Sequence, residues 1–293
     1  MNIYSLSSNS QSLDGGAMFG NAPKALWNQW IPCDDENRII LTTQCILVDM
    51  GVGLDKYLFE CGIGAFFEDK LKNRFGVLQK HHVLLESLQK LQISPDEITH
   101  IVLSHLHFDH AGGILEGHQA SQQTPPKIVF KNAKIFISKE QMERAKNPHP
   151  RDKASFITDL MKQLENNPKV FLVEGPSHPE LPSWIDFYYS QGHTPGLMIS
   201  GIHFQEQNKK IYFPSDLIPG VAWIHVPISM GYDRFAELVI DEKRKFLQKV
   251  YEEKSYLFFV HDPKIVACQI DFQNGKFIPL QNSERTTITG SLT

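Results

Sequence analysis

A short apolar run, Thr99-His100-Ile101-Val102-Leu103-Ser104, leads straight into His105-Leu106-His107-Phe108-Asp109-His110. A β-branched stretch of that length, preceded by the turn residues Ser94-Pro95-Asp96-Glu97, reads as a buried central strand. Whatever follows it is delivered to the edge of a sheet. At that edge stand three histidines and an aspartate within six residues, in a chain with only 13 histidines among 293 residues. Imidazole and carboxylate are the ordinary ligands of zinc and similar divalent metals. If the strand geometry continues, His105 and His107 point the same way and share a metal, while Asp109 and His110, past the bend, aim at a neighbouring position. A surface turn that happens to be histidine-rich is the plain alternative.

Three residues downstream argue against that alternative. His193 lies in Gly192-His193-Thr194-Pro195-Gly196, directly after the strand-like segment 184–190. Asp216 follows the strand-like segment 209–215, and His261 closes the apolar run 255–260. Any one of them alone would be a loop residue. Together, three polar side chains ending three apolar strands can converge on one sheet edge, where ligand sites in α/β folds collect.

The remaining pattern supplies the frame. Segments 40–48 and 56–62 flank a Gly-rich turn and read as a hairpin, and 127–130, 133–138 and 197–202 read as strands. A final hairpin turns at Asn274-Gly275. Helical spacing appears over 81–93, with Leu84, Leu85, Leu88 and Leu91 on one face, and over 138–146, 152–167 and 231–254. The Pro-rich pieces at 122–127 and 175–183 read as surface loops, so residues 1–293 are expected to form a single domain of two packed sheets with helices outside.

Composition removes several classes of function. A net charge of −4 gives no electrostatic footprint for nucleic acid or an anionic membrane. No stretch approaches the roughly 18 apolar residues of a membrane helix, and the N-terminus lacks the pattern of a signal peptide. Cys33, Cys45, Cys61 and Cys268 are scattered without a CxxC pair and read as reduced thiols of a cytoplasmic protein.

The His-x-His-x-Asp-His run, the Gly-His-Thr-Pro-Gly histidine, the Ser215-Asp216 pair, the late histidine and Glu60-Cys61-Gly62 together resemble the metallo-β-lactamase superfamily. The resemblance implies an α/β fold, an αββα sandwich of two mixed sheets flanked by helices. It also implies a dinuclear site: His105, His107 and His193 on one metal, Asp109, His110 and His261 on the other, and Asp216 bridging. Zinc is the first choice, with iron or manganese open because the ligand set discriminates poorly. Glu60 stands where the family usually has aspartate; it either supports a ligand histidine by hydrogen bonding or is an exposed glutamate.

Such a centre implies hydrolysis of a small molecule. A hydroxide bridging two metals attacks an electrophilic carbon, with Asp109 and Asp216 as the catalytic carboxylates and Asp109 accepting or relaying the proton. Asp14-Gly15-Gly16-Ala17-Met18-Phe19-Gly20, with Pro23, Lys24, Leu26 and Trp27, resembles the lactonase and organophosphate-hydrolase-like branch. A lactone or ester is therefore the expected substrate class. Thioester hydrolysis of the glyoxalase II type, phosphodiester hydrolysis and a metal-binding regulatory protein with little turnover are the alternatives. Lactonases of this branch commonly carry a tyrosine three residues after the bridging aspartate; here that position is Pro219. Phe19, Trp223, His225, Met230 and Tyr232 are candidates for the substrate pocket, with core packing as the equal alternative. The aromatics of these segments could instead pack against a second copy of the chain in a homodimer.

Overall fold

The computed structural model describes residues 1–118, 126–204 and 209–280. Its chain contacts gather into two compact units. Among the described residues, one is built from Met1–Ser12 and Thr42–Val173, the other from Leu13–Leu41 and the chain from Glu174 on.

The first unit is organised by a six-stranded mixed sheet. In spatial order its strands are Asn2–Ser7, Gln44–Asp49, Lys56–Phe59, His100–Val102, Lys134–Ser138 and Val170–Val173. The first three pair antiparallel and the rest parallel. The strand expected over 99–104 is the three-residue core His100–Val102, flanked on both sides by parallel neighbours and buried throughout. That is why it reads as continuous hydrophobicity instead of alternation. Helices Val83–Lys90, Lys139–Lys146 and Thr158–Glu165 bury Leu84, Leu88, Met142, Leu160 and Leu164 in this unit's core. Ser138 caps the second of them by accepting from the Gln141 amide, and Ser94 with Glu97 forms a reciprocal capping box on the turn before the central strand.

The second unit holds a five-stranded sheet in the order Ala267–Cys268, Tyr256–Phe258, Lys209–Phe213, Leu197–Phe204, Ile185–Ser190. Only the 209–213 and 256–258 pair is parallel. Helix Ala236–Glu252 and the hairpin Ile270–Gln273/Lys276–Pro279 complete it. Asn274 and Gly275 turn that hairpin with φ of 51° and 77°, the left-handed pair a two-residue loop demands. Phe19 stacks between Trp27, at 5.5 Å, and Trp223, at 4.6 Å, in this core.

Several sequence expectations need correction. Residues 127–130 are not a strand; Ile128 forms only an isolated bridge with Leu115. The helix expected over 152–167 is Thr158–Glu165 after a separate turn at Lys153–Ser155. The helix expected over 231–254 starts at Ala236, because Arg234 and Phe235 spend their amides on the carbonyls of His193 and Gly192. The strand Asn2–Ser7 escapes the pattern because its serines break the alternation around Ile3 and Leu6. Lys243, on helix Ala236–Glu252, is fully buried. Of the Pro-rich piece 122–127, only 126 and 127 lie within the described residues.

Candidate metal centre

In the first unit the four motif candidates are gathered by one turn of chain. The central strand ends at Val102, so His105 and His107 do not lie on a continuing strand. His107 instead occupies the position before a single helical turn, Phe108–Ala111, which carries Asp109 and His110. The result is tighter than a strand would give. The rings of His105 and His107 lie 4.4 Å apart and those of His105 and His110 4.0 Å, with His105 Nε2 3.0 Å from His107 Nδ1. All three histidines are buried.

The supports of this turn come from the neighbouring strand end. Glu60 is 1% exposed and holds a left-handed φ of 68° just past strand Lys56–Phe59. Its Oε1 accepts the Ser104 amide at 2.7 Å and its Oε2 lies 3.3 Å from His110 Nδ1. Of the two readings of Glu60, support of a ligand histidine is the one the geometry takes. The Cys61 amide donates to the His110 carbonyl at 2.9 Å and the Gly113 amide to the Gly62 carbonyl at 2.8 Å. Gly113 is required there: a Cβ would sit 1.9 Å from the Cys61 carbonyl oxygen. Ser104 Oγ lies 2.9 Å from His105 Nδ1, and Gln11 donates to Asp109 Oδ2 at 2.7 Å. Gln11 and Ser104 carry no motif signal, and sequence reasoning missed both.

The second unit brings the other three candidates together around Asp216. Its Oδ2 lies 3.2 Å from His193 Nε2 and its Oδ1 3.2 Å from His261 Nε2. Asp216 sits in a short turn, Ser215–Leu217, entered through Ser215 at a φ of 49°. Both carboxylate corners, at Glu60 and at Ser215, thus hold a non-glycine residue in the left-handed region, a strain that persists only where surrounding structure over-determines it. His193 Nδ1 is 2.9 Å from Asp233 Oδ1, whose other oxygen accepts the Met230 amide at 2.7 Å. Asp233, also missed in the sequence, is the orienting partner of His193. The His261 amide donates to the Pro219 carbonyl at 2.8 Å, so position 219 serves the backbone of a ligand strand.

Each half fits a divalent cation by the chemistry of its donors. His193 has Nδ1 hydrogen-bonded to the buried Asp233 carboxylate, which favours the tautomer that presents Nε2, an arrangement typical of metal-ligating histidine, and His110 Nδ1 lies 3.3 Å from the buried Glu60 carboxylate. Crowded buried imidazoles on one side, and a carboxylate facing two imidazoles with separate oxygens on the other, make a nitrogen and oxygen donor set suited to zinc, iron or manganese.

The pocket candidates fall in different places. Phe19, Trp223 and Met230 pack in the core of the second unit. His225 lines a cavity of about 390 Å³ with Trp30, Ile224 and Lys276. Burial holds its imidazole below the usual range, helped by the charges of Lys276 and Lys243. Tyr232 is 44% exposed. In the first unit a larger cavity, about 570 Å³, is walled by Phe66, Phe67, Phe75, Phe108, Phe156 and Ile157. Its Phe108 belongs to the ligand turn, and Phe156 meets the His107 ring edge-on at 5.0 Å. Burial pushes the Cys45 and Cys61 thiols well above their usual range, consistent with packing groups, not nucleophiles.

Residues 39–261 match the model of the metallo-β-lactamase superfamily. The chain belongs to that family. Its α/β fold, mixed sheets with flanking helices, is the family's. An N-acyl homoserine lactonase of Bacillus cereus is 25% identical over 222 residues, 74% of this chain and 76% of the relative. Another, from Bacillus thuringiensis, is 26% identical over 181 residues, spanning 61% of this chain and 62% of the relative's length. Among solved structures, a probable metal-dependent hydrolase from Staphylococcus aureus superposes with a TM-score of 0.82 at 25% identity, covering 96% of this chain and 97% of the other. The dizinc quorum-quenching lactonase AidC superposes at 0.76 and 24% identity, covering 96% and 94%. Among the described residues no helix is long and apolar enough to cross a membrane.

Proposed function

We propose that this metallo-β-lactamase family member is a dinuclear metal-dependent hydrolase that opens a lactone or cleaves a related ester of a small molecule. In this reading His105, His107 and His193 hold one metal, Asp109, His110 and His261 the other, and Asp216 serves both. The observation that carries it is the hydrogen bond of His193 Nδ1 to Asp233, which commits that ring to presenting Nε2, beside the close packing of His105, His107 and His110. Zinc is the metal of choice, in keeping with the dizinc relative. Lactones are placed first because the relatives named above are N-acyl homoserine lactonases. The net charge of −4 favours a small molecule over nucleic acid. The free thiols Cys33, Cys45, Cys61 and Cys268 are in keeping with the reducing cytoplasm.

When bound, the two ions would supply an activated water and polarise the substrate carbonyl. The chain's own groups do the rest. Asp109 accepts from Gln11 at Oδ2, which aims the carboxylate; this aimed carboxylate would accept a proton from the attacking water and return it to the leaving oxygen. Asp216 keeps His193 and His261 in register. Asp233 holds a proton on Nδ1 of His193, so that ring stays a neutral ligand at Nε2, and Glu60 packs its carboxylate against His110.

The test is metal analysis of the purified protein, followed by a panel of lactones, aryl esters, thioesters and phosphodiesters. The reading expects two metals per chain and lactone or ester turnover that collapses in Asp109→Ala. Bound metal without turnover on any member of the panel would replace it with a binding protein. One iron per chain with oxygen consumption would replace it with an oxygenase.

A further inference from the structure

One helix grips both ends of the His193–Asp233 pair. On Ala236–Glu252, Glu242 accepts with Oε2 from Ser190 Oγ at 2.6 Å and from the Gly192 amide at 3.1 Å. Its Oε1 accepts the Gln191 amide at 2.9 Å. These bonds fix the three residues immediately before His193. The next side chain points about 100° further round the helix and reaches a different loop. Lys243 Nζ donates to the carbonyls of Ile228 and, at 3.4 Å, His225. It thereby anchors the start of the segment that bears Met230 and Asp233.

A lysine with no solvent exposure is a costly choice for such a place. A methionine or leucine of similar length would pack there without desolvating a charge, and such exchanges of buried ions often stabilise. Burial draws the ammonium down to about 7, and the Asp233 carboxylate is the charge that opposes the fall. The lysine therefore serves the arrangement of the loop and of Asp233 more than the stability of the core.

We propose that Lys243 and Glu242 are positioning residues that set the orientation of His193, Lys243 acting through the 225–233 loop and Asp233, Glu242 through the backbone of 190–192. This rests on the reading of His193 as a metal ligand. The tests are zinc affinity of the reconstituted protein against a chromophoric chelator, and the NMR resonance of the His193 Nδ1 proton. Lys243→Met is expected to weaken zinc binding about tenfold, the lower end for groups behind a ligand. It is also expected to shift or broaden the Nδ1 proton line. In an Asp233→Asn background, Lys243→Met should cost nothing further, since both act on one link. Glu242→Gln should give a smaller loss, about threefold, that survives in the Asp233→Asn background.

Unchanged affinity and an unmoved proton line in Lys243→Met would overturn the inference. So would an equal loss with and without Asp233, which would mark a general packing effect. If Lys243→Met does not fold, Glu242→Gln decides by the same two readouts. If His193→Ala itself leaves zinc affinity intact, the metal reading is what fails, and the proton line alone then judges the positioning role.

Discussion

The two half-sites solve the same problem in opposite ways. In the first unit a six-residue peptide, His105–His110, carries four candidate ligands, and a strand end followed by one helical turn presents them. In the second unit three candidates arrive singly, His193, Asp216 and His261, each beyond a different strand of the five-stranded sheet. The first arrangement is local in sequence, with supports at the Glu60 corner, from Ser104 and, from far along the chain, Gln11. The second is local only in space, so its precision depends on sheet register and on partners such as Asp233. Density of ligands in the chain trades against dependence on tertiary structure.

That contrast can be broken most sharply at Asp216. It is the one residue of the second half that touches both of its histidines, so Asp216→Ala should abolish measurable metal retention. Hydrolysis should fall on the order of 10³-fold or more, read by metal analysis and steady-state kinetics. His105→Ala removes one of four clustered ligands and should leave partial metal occupancy, with a loss of activity smaller than that of Asp216→Ala.

The supports provide a finer comparison. Glu60→Gln and Asp233→Asn should each lower metal affinity roughly 10- to 100-fold. They should differ in stability. In Glu60→Gln the new side-chain carbonyl can still accept the Ser104 amide, but the left-handed corner and the His110 contact weaken together. Thermal denaturation of the metal-free proteins should therefore show the larger drop for Glu60→Gln. An equal drop would erase the distinction between a self-contained half and a supported one.

The smallest effect on the site concerns pH. Lys243 titrates near 7 in the folded protein and near its ordinary 10.5 when unfolded. Between those values the unfolded chain binds more protons, so this residue makes stability rise with pH from about 7 to about 10.5, and contributes a constant penalty below 7. The melting temperature of the wild type relative to Lys243→Met should accordingly climb across that window. A flat difference would mean that the lysine is not buried in solution.

Much of the first half was legible in the chain because its chemistry is contiguous. A buried parallel strand announces itself as unbroken hydrophobicity, and ligands directly after it share one local geometry. The error there was one of backbone: the strand ends at Val102, short of His105 and His107 where it was expected to continue, which side-chain identity does not register. In the second half the ligands were named only because each ends an apolar run. Asp233 and Lys243 sit in a segment whose composition reads equally as loop, pocket or solvated helix, and their roles come from what they meet.

By itself, then, the sequence supplied the candidate donors, the apolar runs that lead to them and the membership of a family with this α/β fold. Hydrophobic periodicity and contiguous motifs are properties of neighbouring residues. Only the tertiary structure decided which nitrogen His193 presents, that Glu60 is buried beside His110, that Phe19 and Trp223 stack in a core, and that a lysine on helix Ala236–Glu252 faces inward. Those outcomes depend on partners distant in the chain, 40 residues for His193 and Asp233 and 52 for Ser190 and Glu242, and no local pattern encodes them.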